Sequence, residues 1–177
     1  MPKGTKNKND ELLDLVDEND NVIGTIWKSE AHQNPKLIHR EIAVAVFNTI
    51  GENLIQRRSL NKTYDPGMWQ IASAGHVMAG ENPESAAKRE VFEELGINIK
   101  PIYFKKDFIK EVREARFFWI YYAIVKKTPE IQFDKSEVMD TLWVKPSELE
   151  YFTKKTGYNL DNKSKKMILK LTKYLKY

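Results

Sequence analysis

With 177 residues, 41% of them hydrophobic and 31% charged, the chain has the length and composition of one soluble globular domain. Cysteine is absent, which excludes disulfides, thiolate metal ligands and a cysteine nucleophile. No stretch of about 18 apolar residues could span a bilayer, and the opening MPKGTKNKND lacks the apolar core of a secretory signal, so the expectation is a cytoplasmic protein with no membrane partner. The net charge of +4 is unevenly spread, with eight lysines and one acid, Asp161, in residues 151–177. Such a tail attracts nucleic acid or an anionic surface. Lysine stems lying over apolar residues on a solvated face explain it more simply, so nucleic acid is kept as the weaker alternative.

In chain order, residues 1–10 read as a flexible leader. Two short apolar segments, 12–16 and 22–26, flank the polar run Asp17-Glu18-Asn19-Asp20-Asn21 and suggest a β-hairpin. Residues 28–38 are polar and irregular; they contain His32, and His39 follows. The strongest strand signal is 42–47, which turns through Gly51 into 54–56 and delivers Arg57 and Arg58 to the end of a second hairpin. A loop closed by Pro66-Gly67 leads to a short strand over 69–73. A helix is expected from Asn82 or Glu84 to Leu95, with Asn82-Pro83 as cap and first turn and Gly96 as stop. Its apolar positions Ala86, Ala87, Val91 and Leu95 leave a separate side for acids. Residues 99–108 and 115–125 are strand-like, and the bulky run from Phe117 to Tyr122 reads as a buried strand stacked on that helix. A turn at 127–129, strand material at 131–133 and 141–144, and helices over about 148–154 and 164–174 complete the chain. There is no internal repeat, and the strand-rich centre indicates an α+β fold, one domain with a core over about 38–150 and a lysine-rich helical extension at 151–177.

The chemistry concentrates in residues 75–97, GHVMAGENPESAAKREVFEELGI. On a helix, Glu90, Glu93 and Glu94 stand at i, i+3 and i+4 and share a side. Three carboxylates packed together repel one another, and a hard divalent cation such as Mg²⁺ or Mn²⁺ makes the arrangement favourable. Glu81 is a fourth candidate ligand or a support for the loop. Shortly before this stretch, Arg57, Arg58 and Lys62 offer cations for phosphate oxygens, although strand alternation turns Arg57 and Arg58 to opposite faces. Trp69, with Met68, Tyr64 and Phe118, either lines a pocket or packs in the core.

The spacing Gly75, five residues, Glu81, seven residues, Arg89-Glu90-Val91, one residue, Glu93-Glu94, one residue, Gly96-Ile97 resembles the complete signature of the Nudix hydrolases. The resemblance implies an α/β/α sandwich with a mixed sheet, a small-molecule diphosphate substrate, a divalent metal and Arg89 as a structural arginine orienting a carboxylate. It leaves a homodimer open and places the general base outside the helix in some relatives. Glu111 and Glu114 are then candidates, Glu114 preferred, ahead of Asp134, Glu137 and Asp140.

A second resemblance uses all three histidines. Ala31-His32, Leu37-Ile38-His39, Gln56-Arg57-Arg58, Lys62, Pro66-Gly67-Met68-Trp69 and Gly75-His76 fall at spacings similar to those of metal-dependent isopentenyl-diphosphate isomerases, which share the Nudix fold. By that likeness His32, His39, His76 and Glu114 form a second metal site suited to Mn²⁺ or Zn²⁺. The isomerase pattern has its catalytic cysteine immediately before Gly-His; here that residue is Ala74. The hydrolase signature, degraded in the isomerases, is intact. The expectation is a metal-dependent hydrolase of a nucleoside diphosphate linked to another group, with isomerase-like activity or a non-catalytic diphosphate-binding module as alternatives.

Overall fold

The computed structural model describes residues 10–126 and 129–177; residues 1–9 of the leader expected over 1–10, and most of the turn at 127–129, lie outside them. Strands β1 (Leu12–Val16) and β2 (Val22–Trp27) form the expected antiparallel hairpin. The polar segment after it is not wholly irregular, because one helical turn, α1 (Lys28–Ala31), sets Ala31 into a small core with Leu13 and Ile26. Next come β3 (Ile38–Asn48) and β4 (Asn53–Arg58). The single strand expected over 69–73 is two: β5 (Trp69–Ile71) pairs with β4, and β6 (Ser73–His76) pairs with β3. Helix α2 (Pro83–Leu95) is followed by β7 (Ile102–Lys110), β8 (Ala115–Val125) and β9 (Val138–Val144). A 3-10 helix (Pro146–Tyr151), α3 (Phe152–Thr156) and α4 (Asn162–Leu175) close the chain.

β3 is the hub of a mixed sheet. It runs parallel to β8 over its whole length and antiparallel to β4 and β6. Side chains alternate along a strand, and both faces of β3 are covered. Ile42, Val44 and Val46 pack on Ala86, Ala87, Val91 and Leu95 of α2. Ala43, Ala45 and Phe47 face a second core containing Leu149, Phe152, Ile168 and Leu171 from the C-terminal helices. These two layers around the sheet are the expected sandwich. The lysine-rich segment is part of it: α4 buries Ile168 and Leu171, each fully buried aliphatic stabilising by roughly 1.5–3 kcal/mol, and leaves Lys166, Lys170 and Lys173 outside. Among the described residues, no helix is long and apolar enough to cross a membrane.

Helix α2 begins and ends where the sequence predicts. The Asn82 side chain accepts from Ser85 N at 2.9 Å, and Gly96 stops the helix at φ 69°. Residues 131–133 are not a strand, despite their apolar pattern. They cross the end of α2, where Gln132 N donates to Leu95 O at 3.1 Å and Asp134 N to Glu94 O at 3.3 Å, so these amides serve helix carbonyls.

Candidate active site and metal centre

Strand β6 feeds the site and α2 forms its floor. Gly75 is needed because Glu90 occupies the space a side chain would take: a Cβ there would lie 2.2 Å from Glu90 Cδ. Arg89 is the organiser. Its Nε and Nη2 bond the two Glu81 oxygens at 3.0 and 2.9 Å, Nη2 also donates to His76 O at 2.9 Å, and Nη1 reaches Glu90 at 2.7 Å and Glu93 at 3.1 Å. Glu81 Oε2 accepts in addition from Met78 N at 3.1 Å. Both Glu81 oxygens thus accept bonds that tie the loop between β6 and α2 to Arg89. Glu94 is buried, and Gln56 Nε2 donates to its Oε2 at 2.9 Å.

Charge at this floor is expensive without a counter-ion. Burial pushes Glu94 up to about 8, with the negative charge of Glu90 acting in the same direction. Burial also raises Glu90, although Arg89 opposes it. For Glu94 the folded state holds a proton that the unfolded chain gives up near 4.5, so its contribution to stability is full below about 4.5 and is lost as the pH rises through about 8. A cation at Glu94 reverses this balance. Metal binding at pH 7 is therefore expected to release about one proton, measured as a dependence of the calorimetric heat on buffer ionisation enthalpy; identical heats in two buffers would contradict it.

A cleft of about 790 Å³ brings the predicted residues together in part. Glu90, Glu93, Glu94, Arg58, Lys62, His32 and His76 line it. Arg57 does not; its Nε donates to Gly67 O at 3.0 Å and its guanidinium sits 4.1 Å over the Tyr158 ring. Alternation has split the arginine pair as expected. Trp69 is corrected to a core residue: it is 4% exposed and packs edge-on to Phe152 at 5.7 Å. Neither Glu111 nor Glu114 lines the cleft, since Glu111 pairs with Lys163 of α4 and Glu114 with Arg116. The acids on the cleft wall are instead Asp134, Glu137, which pairs with Lys62, and Glu11, whose Oε1 accepts from Lys28 Nζ at 2.9 Å.

The histidines converge as the resemblance implied, with one ligand missed. Sheet register explains it. Glu41 of β3 stands opposite His76 of β6, and His39 opposite Arg116 of β8, while His39 and Glu41 share a face at i, i+2. His32, His39, Glu41 and His76 each offer a ligand atom within 4.8 Å of the others, and among the described residues they are the set that does so. The helix acids do not form an equally compact set. Glu114 lies at the rim, 3.5 Å from His32 Nε2, and is bound to Arg116.

This cluster fits one divalent ion. His39 is completely buried; among the described residues its Nδ1 has no hydrogen-bond partner and its Nε2 has only a 3.5 Å approach to Glu41 Oε1, and an unsatisfied buried group costs on the order of 1–3 kcal/mol unless something binds there. Burial, reinforced by the neighbouring His76 and His39, lowers His32 to about 4, so its lone pair is free at neutral pH. Burial alone would raise Glu41, but the facing His39 and His76 rings and the Arg116 guanidinium, with Arg116 Nε 2.8 Å away, hold it well below the usual carboxylate range. Three imidazoles and one carboxylate suit a borderline-soft transition ion better than Mg²⁺.

Gly75→Ala tests how closely Glu90 must be held. The fold should survive, because the added methyl meets the end of a side chain, while displacement of Glu90 by an ångström is expected to cut kcat by about a hundredfold. Unchanged turnover would show that the Glu90 position is immaterial.

Comparison with known proteins agrees with this geometry. A family model described as NUDIX domain matches residues 37–166. The isopentenyl-diphosphate Delta-isomerase of Streptomyces coelicolor is 38% identical over 145 residues, covering 78% of this chain and 73% of that protein. An uncharacterized Nudix hydrolase of Pseudomonas aeruginosa is 32% identical over 136 residues, covering 77% and 79%. The crystal structure of a Deinococcus radiodurans protein superimposes with a TM-score of 0.70 at 24% identity, over 89% of this chain and 97% of the other. A MutT protein from Methanosarcina mazei gives 0.66 at 19% identity, over 81% and 98%. The last two likenesses concern the fold.

Proposed function

The chain belongs to the Nudix family as a pyrophosphohydrolase-like enzyme related to the isopentenyl-diphosphate isomerases but lacking their cysteine, and from that premise we propose that it cleaves the diphosphate linkage of a nucleoside diphosphate joined to another group. The observation that carries the reading is that one cleft is lined both by Glu90, Glu93 and Glu94 of α2 and by Arg58 and Lys62. Glu90, Glu93 and Glu94 would hold Mg²⁺ or Mn²⁺. Bound there, the ion supplies neutralisation of phosphate charge and a more acidic water. Arg58 and Lys62 orient the phosphates; Arg89 fixes Glu90 and Glu93 in place. Glu137 and Asp134 are the wall carboxylates nearest in kind to a general base, taking over the role first given to Glu114. Ala74 has no proton to exchange, which disfavours isomerisation.

The test is product release from a panel: nucleoside triphosphates, dinucleoside polyphosphates, nucleotide sugars, dinucleotide cofactors, coenzyme A, tripolyphosphate and isopentenyl diphosphate, each with Mg²⁺ or Mn²⁺. Metal-dependent cleavage of a phosphoanhydride is expected. Interconversion of isopentenyl isomers without phosphate release would overturn the proposal, and tight binding without turnover would favour a binding module.

A further inference from the structure

His76 presents its two ring nitrogens to different surroundings. Nε2 faces into the cluster, 3.0 Å from His32 Nε2 and 3.3 Å from Glu41 Oε1. Nδ1 faces Glu11, whose Oε2 lies 3.4 Å away. Nε2 is thus the nitrogen that converges with the other ligand atoms, and Glu11 stands outside the four residues that offer them. A neutral imidazole ligates through the nitrogen that lacks a proton, and the partner of the other nitrogen decides which one that is. An ionised carboxylate can only accept, so it draws the proton to Nδ1 and leaves the Nε2 lone pair for an ion.

The N-terminal hairpin sets Glu11 in that place. The antiparallel register puts Leu12 opposite Trp27, so Glu11 and Lys28 are the next pair along, and Lys28 N donates to Glu11 O at 2.9 Å. Lys28 Nζ donates to Glu11 Oε1 at 2.9 Å, which commits one carboxylate oxygen to the lysine and turns the other to the ring. β1 is fastened in turn to the loop after β6, where Ala79 N donates to Leu12 O at 2.9 Å and Gly80 N to Asp14 Oδ1 at 3.0 Å. The backbone of His76 is held as well, its carbonyl accepting from Arg89 Nη2 at 2.9 Å. Glu11 and Lys28 both precede the segment that matches the family model. We propose that Glu11 is a positioning residue of the histidine centre: it accepts the Nδ1 proton of His76, fixes the tautomer and aims Nε2 at a transition ion. A hydrogen bond from an imidazole that ligates a cation to an ionised carboxylate is charge-assisted, so Glu11 favours the loaded state over the empty one. The role goes beyond the hydrolase reading and needs only an ion at the histidines.

The experiment titrates Co²⁺ into the metal-free full chain as wild type, Glu11→Gln, Glu11→Ala and the Glu11→Gln, Lys28→Met double variant, read by ligand-field absorption. Lys28 Nζ can only donate, so in Glu11→Gln it retains the amide oxygen and turns the amide NH₂ to His76 Nδ1. That NH₂ donates to Nδ1 and leaves the ring proton on Nε2, where it blocks ligation. Affinity for Co²⁺ is expected to fall about 10–100-fold in Glu11→Gln, and less in Glu11→Ala, where water fits either tautomer. Removing the lysine lets the amide turn over, so the double variant should bind Co²⁺ more tightly than Glu11→Gln alone. A packing role predicts the opposite order, because glutamine keeps the shape of glutamate and alanine does not. NMR of the labelled ring nitrogens in the metal-free proteins reads the tautomer directly: His76 should carry its proton on Nδ1 in wild type and on Nε2 in Glu11→Gln. Equal affinities, a weaker Glu11→Ala than Glu11→Gln, or a wild-type His76 protonated on Nε2 would each overturn the inference. Wild type that takes up no Co²⁺ would also remove it, while leaving the hydrolase reading standing.

Discussion

Replacing Glu93 and Glu94 together by glutamine is expected to lower kcat on the best phosphoanhydride substrate by about a thousandfold while leaving the metal-free protein at least as stable as wild type. The two effects separate because the residues act differently with and without a cation. Neutralising developing phosphate charge is worth several kcal/mol, and about 4 kcal/mol corresponds to about three decades of rate. Without metal, Glu94 is a buried carboxyl pushed up to about 8, and an isosteric amide keeps the bond with Gln56 while removing the cost of ionisation. Glu93 is mostly exposed and its pair with Arg89 contributes little at the surface. Steady-state rates with Mg²⁺ and thermal melts in chelator measure the two halves. A rate within tenfold of wild type would mean that the α2 carboxylates are not the metal ligands. A collapse of the metal-free melting temperature would mean that they are structural.

The parts of this design written locally were legible in the sequence. Helix α2 announces itself through the Asn82 cap, the Gly96 stop and the small apolar positions Ala86 and Ala87, all of which act within a few residues. The arginine pair was separable by strand parity alone. What depended on partners distant in the chain was not legible. Residues 131–133 carry a strand-like composition, but their amides are drawn to the end of α2, a contact that no periodicity encodes. Trp69 was equally a pocket or a core residue until Phe152, 83 positions later, packed against it. Glu41 was missed because the strand signal began at Ile42, whereas β3 starts at Ile38. Extending that strand by four residues puts His39 and Glu41 on one face, and only the pairing with β6 and β8 adds His76 and Arg116. Arg116 binds Glu114 as well as Glu41, and Glu114 stands 3.5 Å from His32 beside the compact set of four.

Adding Co²⁺ to the metal-free protein is expected to produce visible ligand-field absorption and to raise the melting temperature by about 5–10 °C, and His39→Ala should abolish both. The magnitude follows from mass action: an ion at a hundred times its dissociation constant stabilises the folded state by about 2.7 kcal/mol, and about 2–4 °C accompany each kcal/mol for a chain of this size. His39 is decisive because it is the completely buried member of the cluster and its ring nitrogens are left under-satisfied, with Nε2 approaching Glu41 only at 3.5 Å. Its removal also opens a cavity and lowers the starting stability, so the quantity to compare is the shift on adding metal, not the absolute melting temperature. Glu41→Gln keeps the packing and should weaken the shift through loss of an anionic ligand. The Glu93→Gln, Glu94→Gln variant should keep the Co²⁺ spectrum, because those acids stand on another element and offer only oxygen. If instead that variant loses the spectrum and His39→Ala retains it, the ion resides on α2, and the converging imidazoles are a hydrogen-bonded structural cluster built around the 3.0 Å contact between His32 and His76.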